Sequence, residues 1–145
     1  MKFDPINSRA HMAKVFLFAF AFYFGLVAYA QTVDQPNGVE HIPVAPQTLP
    51  DDSGRSLTAV VVKFAPGATA ASHHHPGTVF AYVPDGILRS QLDGGEVVEY
   101  RAGQTWMEPP GSEHTLTLNR SRTQAGRLLA VFVAPTGAQL AMYDQ

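Results

Sequence analysis

From about residue 55 onward the chain is built of short β-branched and apolar runs, cut by Gly, Pro and Asp at intervals of roughly 8–12 residues. No apolar period of 3.6 residues runs through it. Leu57-Thr58-Ala59-Val60-Val61-Val62-Lys63-Phe64 is one such run, followed by Pro66-Gly67. Thr78-Val79-Phe80-Ala81-Tyr82-Val83 is another, closed by the hairpin signal Pro84-Asp85-Gly86. Ile87 to Leu92 returns to Asp93-Gly94-Gly95, and Val97 to Tyr100 follows. Thr105 to Glu108 is stopped by Pro109-Pro110-Gly111, and His114 to Leu118 leads into a polar loop from Asn119 to Gly126. The last long run is Arg127 to Ala134, ended by Pro135. Helices need long segments of one period, so this punctuation predicts an all-β sandwich or barrel.

The N-terminus has a different grammar. Lys2, Arg9 and Lys14 stand against a single acid, Asp4, and then Val15 to Val27 runs without a charge before Ala28-Tyr29-Ala30. A basic start, a short apolar stretch and small residues at the cleavage positions describe a secretory signal peptide. The apolar stretch is shorter than the roughly 20 residues that span a bilayer, which argues against a membrane anchor. Cleavage is expected after Ala30, leaving a periplasmic or secreted chain with no membrane contact; Met12 offers an alternative start. The expected organisation is a signal peptide over 1–30, an extended Pro-rich arm over 31–54, a β-barrel domain over 55–137 and a C-terminal tail over 138–145. Within the arm, Val39 to Val44 reads as an edge strand weakened by Pro43, and His41 as a surface residue.

Charge and cysteine content exclude several function classes. Three of the ten basic residues and one of the twelve acids precede residue 31, leaving seven against eleven and a formal charge of −4. Nucleic-acid binding needs a basic face, so no such partner is expected. Without cysteine, the chain has no disulfide, no thiolate metal site and no thiol nucleophile.

The stretch Ser72-His73-His74-His75-Pro76-Gly77 carries the chemistry, together with Glu108-Pro109-Pro110-Gly111-Ser112-Glu113-His114. On a strand, His73 and His75 leave the same face and His74 the opposite one. Two imidazoles on one face and a third from another strand make half a metal shell. Histidine is the commonest transition-metal ligand, and three suit zinc, iron, copper, nickel or manganese. The competing account is that three consecutive histidines form a solvated loop.

At this point a family resemblance enters. Gly67, five residues, His73-x-His75 and a strand to Gly86 resemble the first cupin motif, G-x5-H-x-H-x3,4-E-x6-G. Gly103, five residues, Pro109-x-Gly111-x2-His114 resembles the second, G-x5-P-x-G-x2-H-x3-N. The resemblance covers about Leu57 to Ala134. It implies a small single-domain cupin: a jelly-roll β-barrel with a divalent metal (Fe, Mn, Zn or Ni) held by His73, His75 and His114. It also implies a small-molecule ligand or substrate, and dimerisation of the kind common among cupins.

Two positions depart from the pattern. The Glu of the first motif falls at Val79, and the Asn of the second comes one residue late, as Asn119. Glu108 is the candidate replacement for the missing carboxylate, since the resemblance implies that the residue before Pro109 and the one two earlier, here Glu108 and Trp106, face the barrel. A carboxylate facing an apolar barrel is costly unless it is paired or binds a metal. The alternative is a solvated rim position. Counting from the turns, Val79, Ala81, Val83, Leu88, Ser90, Leu92, Leu116 and Leu118 also point inward, while Gln91 and Glu113 point out. The expected function is either a metal-dependent enzyme, with dioxygenase-like chemistry on an oxygenated compound favoured, or a non-catalytic metal or small-ligand binding protein. No catalytic residue is assigned beyond the metal set.

Overall fold

The computed structural model describes residues 34–35, 37–44 and 46–143, so the expected signal peptide and its cleavage site lie outside the described residues. Every regular element among the described residues is a strand. In chain order these are β1 (Asp34–Gln35), β2 (Val39–Pro43), β3 (Gln47–Leu49), β4 (Asp52–Phe64), β5 (Thr69–Ala70), β6 (His73–His74) and β7 (Thr78–Asp85). They continue as β8 (Ile87–Leu92), β9 (Val98–Arg101), β10 (Thr105–Glu108), β11 (Glu113–Asn119), β12 (Gly126–Pro135) and β13 (Met142–Tyr143).

The strands form two antiparallel sheets. One runs β1-β2-β4-β12-β7-β10, with β3 also on β4; the other runs β13-β6-β11-β8-β9, with β5 also on β11. This is the all-β jelly-roll architecture expected from the turn punctuation. The first sheet packs its inner face through strict alternation: Val60, Val62 and Phe64 on β4, Leu128, Ala130 and Phe132 on β12, and Val79, Ala81 and Val83 on β7 are buried. Val39, Ala68, Leu88 and Trp106 complete this core.

Alternation fails on β11. His114 pairs with Leu92 and Leu116 with Gln91, so two steps on β11 match one on β8. This β-bulge turns every later residue over. Thr117 and Asn119 are therefore buried, and Leu116 and Leu118, expected inside, are only half-buried. Asn119 does not open a loop as expected. It is fully buried and clamps the loop that follows, its Nδ2 donating to the carbonyls of Phe64, Ala65 and Gln124 and its Oδ1 accepting from Ser121 N–H.

Among the described residues before β4, two further strands join the first sheet. β2 pairs with β4 from Val39↔Phe64 to Pro43↔Val60, and β3 pairs with β4 further along, so both widen the first sheet. Pro43 is tolerated because β2 lies toward the sheet edge. At the other terminus, β13 pairs with β6, placing Met142 opposite His74 and Tyr143 opposite His73. Gly77 brings the histidine segment hard against the first sheet: a Cβ there would lie 2.2 Å from the Val133 carbonyl oxygen. Only glycine fits such an approach.

Candidate metal centre

The second sheet sets the histidines by register. His114 pairs with His73, and Glu113 with His74. Residues opposite each other on adjacent strands project from one face. His73 and His114 therefore share the inner face, whereas His74 and Glu113 share the outer one. Glu113 is held there by Ser72 Oγ at 2.8 Å, and its backbone N–H donates to Asp93. The next turn is tied down as well. Gly111, at φ +77°, donates its N–H to the His75 carbonyl at 2.8 Å, joining the two histidine-bearing segments.

His73, His75 and His114 each offer a ring nitrogen, and these atoms lie within 4.8 Å of one another. Their outer nitrogens are all engaged. His73 Nδ1 is 2.7 Å from the Ala71 carbonyl, and His75 Nδ1 is 2.5 Å from the Leu140 carbonyl. A carbonyl only accepts, so both Nδ1 atoms carry the proton and both Nε2 lone pairs face the cavity. On His114 the roles are exchanged. Its Nε2 is 2.8 Å from both Ser90 Oγ and Thr117 Oγ1, and its Nδ1 faces Glu108.

Burial fixes the charge state of these rings. It pushes the His75 imidazolium down to about 4 and that of His114 to about 3, and lowers His73 in the same direction. All three rings are neutral at pH 7, which is the form that binds a metal.

Glu108 is 2% exposed and is not a rim residue. Its Oε1 accepts from Trp106 Nε1 at 2.9 Å and lies 3.2 Å from His114 Nδ1. Its Oε2 is 3.5 Å from His75 Nε2 and has no hydrogen-bond partner. Burial raises the carboxyl to about 7, opposed by the Trp106 hydrogen bond; the neutral imidazoles beside it do not offset the burial. Glu108 is also the register partner of Val79. Position 79, where the first motif carries its Glu, thus lies directly across the ladder from Glu108, about 5 Å away at Cβ.

Three neutral imidazoles and a buried, unpartnered carboxylate oxygen fit a divalent cation. They fit an empty apolar pocket badly, because that oxygen would lose its hydration with nothing in return. A cavity of about 360 Å³ adjoins the cluster. Val60, Val62, Phe64, Leu128, Ala130 and Phe132 of the first sheet supply its apolar wall. Leu140 and Ala141 cover it from the C-terminal segment.

Sequence reasoning missed several of these groups. His41, expected on the surface, lines the cavity, half-buried. Its partner on β4 is the buried Val62, so it faces inward. The signal was present, because alternation from the buried Val39 puts His41 on the same side. Trp106 is core, as expected, but it also holds Glu108; spacing of two on a strand could have suggested that. Thr117 was hidden by the bulge, and the Leu140 carbonyl leaves no mark in a sequence.

Comparison with known proteins agrees with this architecture. A profile of the cupin domain (Cupin_2) matches residues 60–132, half of the chain. No curated protein matches by sequence. Among solved structures, an RmlC-like cupin from Shewanella frigidimarina is similar at 20% identity and a TM-score of 0.57, over 79% of this chain and 93% of that one. KdgF from Halomonas sp. is similar at 22% identity and 0.58, over 74% and 89%. A mutant of Bacillus subtilis oxalate decarboxylase OxdC is similar at 20% identity and 0.62, over 79% of this chain but 30% of that longer one. With the profile match, the jelly-roll topology and the three gathered histidines, the chain belongs to the cupin family.

Proposed function

We propose that the protein is an exported enzyme that holds one divalent transition metal through His73, His75 and His114, with Glu108 as a fourth donor. We further propose that it acts on a small oxygen-bearing organic molecule by dioxygenase-like chemistry. The observation that carries this reading is Glu108 Oε2, buried, without a hydrogen-bond partner and 3.5 Å from His75 Nε2. A cation between that oxygen and the neutral rings would stabilise the carboxylate and draw its pKa back down. Such an ion supplies Lewis acidity and, where it is iron, reactivity toward dioxygen.

The chain's own residues do the rest. The three rings orient the ion through nitrogens whose opposite sides are already fixed by hydrogen bonds. Glu108 cancels one positive charge. The apolar wall excludes water and holds an organic body. With Glu108 engaged as a donor, no further carboxylate among the described residues lines the cavity. The oxalate decarboxylase with a similar fold supports an enzymatic use of this architecture, although fold alone does not choose a reaction.

Metal analysis of the untagged protein is the first test, followed by dioxygen uptake by the iron-loaded form with catechols and 1,2-diketones. One equivalent of metal and substrate-dependent uptake are expected. Failure to retain metal after reconstitution contradicts the reading. Metal without turnover on any substrate favours a non-catalytic binding protein. Export is tested separately: N-terminal sequencing should give Gln31, and an intact Met1 or Met12 would refute it.

We also propose a homodimer through the outer face of the first sheet. Phe80 is 42% exposed and Met107 53%; they are register partners, and Phe80 also pairs with Val131. Their adjacency on the outer face of the sheet is the observation that supports this reading. Phe80→Lys should convert a dimer to a monomer in light scattering.

A further inference from the structure

The C-terminal segment touches two of the three metal-site rings and the cavity beside them. Leu140 offers its carbonyl to His75 Nδ1 at 2.5 Å. Tyr143 is the register partner of His73, and their ring centroids lie 5.6 Å apart. Leu140 and Ala141 line the cavity, and the half-buried Leu140 side chain packs against the core. A segment that met only the cavity would be a cover; this one also holds a ligand ring from behind.

Its attachment is thin. After β12 the turn is tied by Thr136 N–H to the Gly54 carbonyl and by Ala138 N–H to the Pro135 carbonyl, with Gly137 at φ +79° between them. Beyond that turn the ladder holding the segment is two residue pairs, β13 on the two-residue β6. Pairing this short opens locally at far lower cost than the ten-residue β12, which is flanked by β4 and β7.

A cation on His75 Nε2 draws electron density from the ring, so Nδ1–H becomes a stronger donor to the Leu140 carbonyl. The carbonyl in return orients the ring and makes Nε2 the better ligand. Metal binding and docking of the segment therefore strengthen each other, and by the same factor, because linkage is reciprocal for binding free energies.

We infer that residues 138–143 form a metal-coupled strap: metal at His75 holds it closed over the cavity, and its opening loosens the metal. The coupling runs through the hydrogen bond from His75 Nδ1 to the Leu140 carbonyl, not through the Leu140 side chain. This device rests on the metal reading and adds a moving part to it.

The test is hydrogen exchange on the intact, untagged protein, in chelator and at rising zinc, followed at the amides of β13 and of central β12. An opening that releases the metal slows without limit as zinc rises. An opening that leaves the metal bound but loosened slows by a fixed factor and then no further. The β13 amides should slow about 10-fold and reach a plateau, while the β12 amides go on slowing. Leu140→Ala keeps the carbonyl, so it should speed β13 exchange with and without zinc and leave the 10-fold ratio unchanged. No effect of zinc on β13 overturns the coupling. Slowing without a plateau overturns a strap that opens with the metal in place. A ratio lost in Leu140→Ala places the coupling in side-chain packing and overturns the hydrogen-bond route. All three results leave the metal reading intact, whereas a parent that retains no zinc overturns that reading and the strap with it.

Discussion

The two histidine-bearing segments reach one chemical state by different means. His73 lies on the two-residue β6 and His75 just beyond it, whereas His114 lies on the seven-residue β11. Near the sheet edge the rings are oriented by backbone carbonyls, of Ala71 and of Leu140 in the C-terminal segment. In the interior of the sheet the ring is oriented by hydroxyls, those of Ser90 and Thr117. Any residue supplies a carbonyl, so the edge support depends on strand pairing and not on side-chain identity. The central support depends on two particular side chains and on the bulge that turns Thr117 inward. The first should be broken by loss of tertiary structure, the second by single substitutions.

Removing the rings themselves should have the largest effect. His73→Ala, His75→Ala and His114→Ala should each weaken metal affinity by more than about 100-fold in competition titrations, beyond the range set by outer supports. His74→Ala, on the opposite face, should change it by less than about 2-fold. Equal losses at His74 would show that the face assignment within the run is wrong.

The next effect is on the metal-free protein. The imidazoles of His75 and His114 are lowered to about 4 and 3, so the unfolded chain binds more protons below pH 6.5 and stability falls as pH drops through that range. The shift of Glu108 has the opposite sign. Its carboxyl is raised from 4.5 to about 7, so the unfolded chain loses its proton first and stability falls as pH rises from 4.5 through 7. The Glu108 contribution is at most roughly 3 kcal/mol. Thermal melts in chelator should therefore show Glu108→Gln gaining on the parent between pH 4.5 and 7. A constant difference across that window would contradict the buried carboxyl.

Smaller again is the effect of the hydroxyls. Thr117→Val and Ser90→Ala should each weaken metal binding about 10-fold without unfolding the protein, as loss of a group that orients a ligand commonly does. Unchanged affinity in both would mean that β11 is held, like β6, by its backbone.

Much of this could be read from the sequence, and what could not has a common cause. The long strands and the turns between them were legible because Gly, Pro and Asp punctuate them by residue type. The shared face of His73 and His75 followed from alternation over a short distance, and the inward aim of Glu108 from the resemblance to the cupin motif. Leu116 and Leu118 were misplaced because a bulge adds one residue without a residue-type signature. The Leu140 carbonyl was invisible because the pairing of β13 with β6 joins residues far apart in the chain. His41 shares a face with Val39 by alternation, but Pro43 weakens the strand signal of the segment that carries it.

The central claim is that Glu108 supplies, from β10, the carboxylate that the family motif carries at position 79 on β7. The direct measurement compares metal affinity in the parent, Glu108→Val and the double variant Val79→Glu/Glu108→Val, which moves the carboxylate across one rung of the ladder. Glu108→Val should bind about 10–100-fold more weakly, and the double variant should return to within a few-fold of the parent. Full affinity in Glu108→Val would contradict the claim by showing that the three histidines suffice.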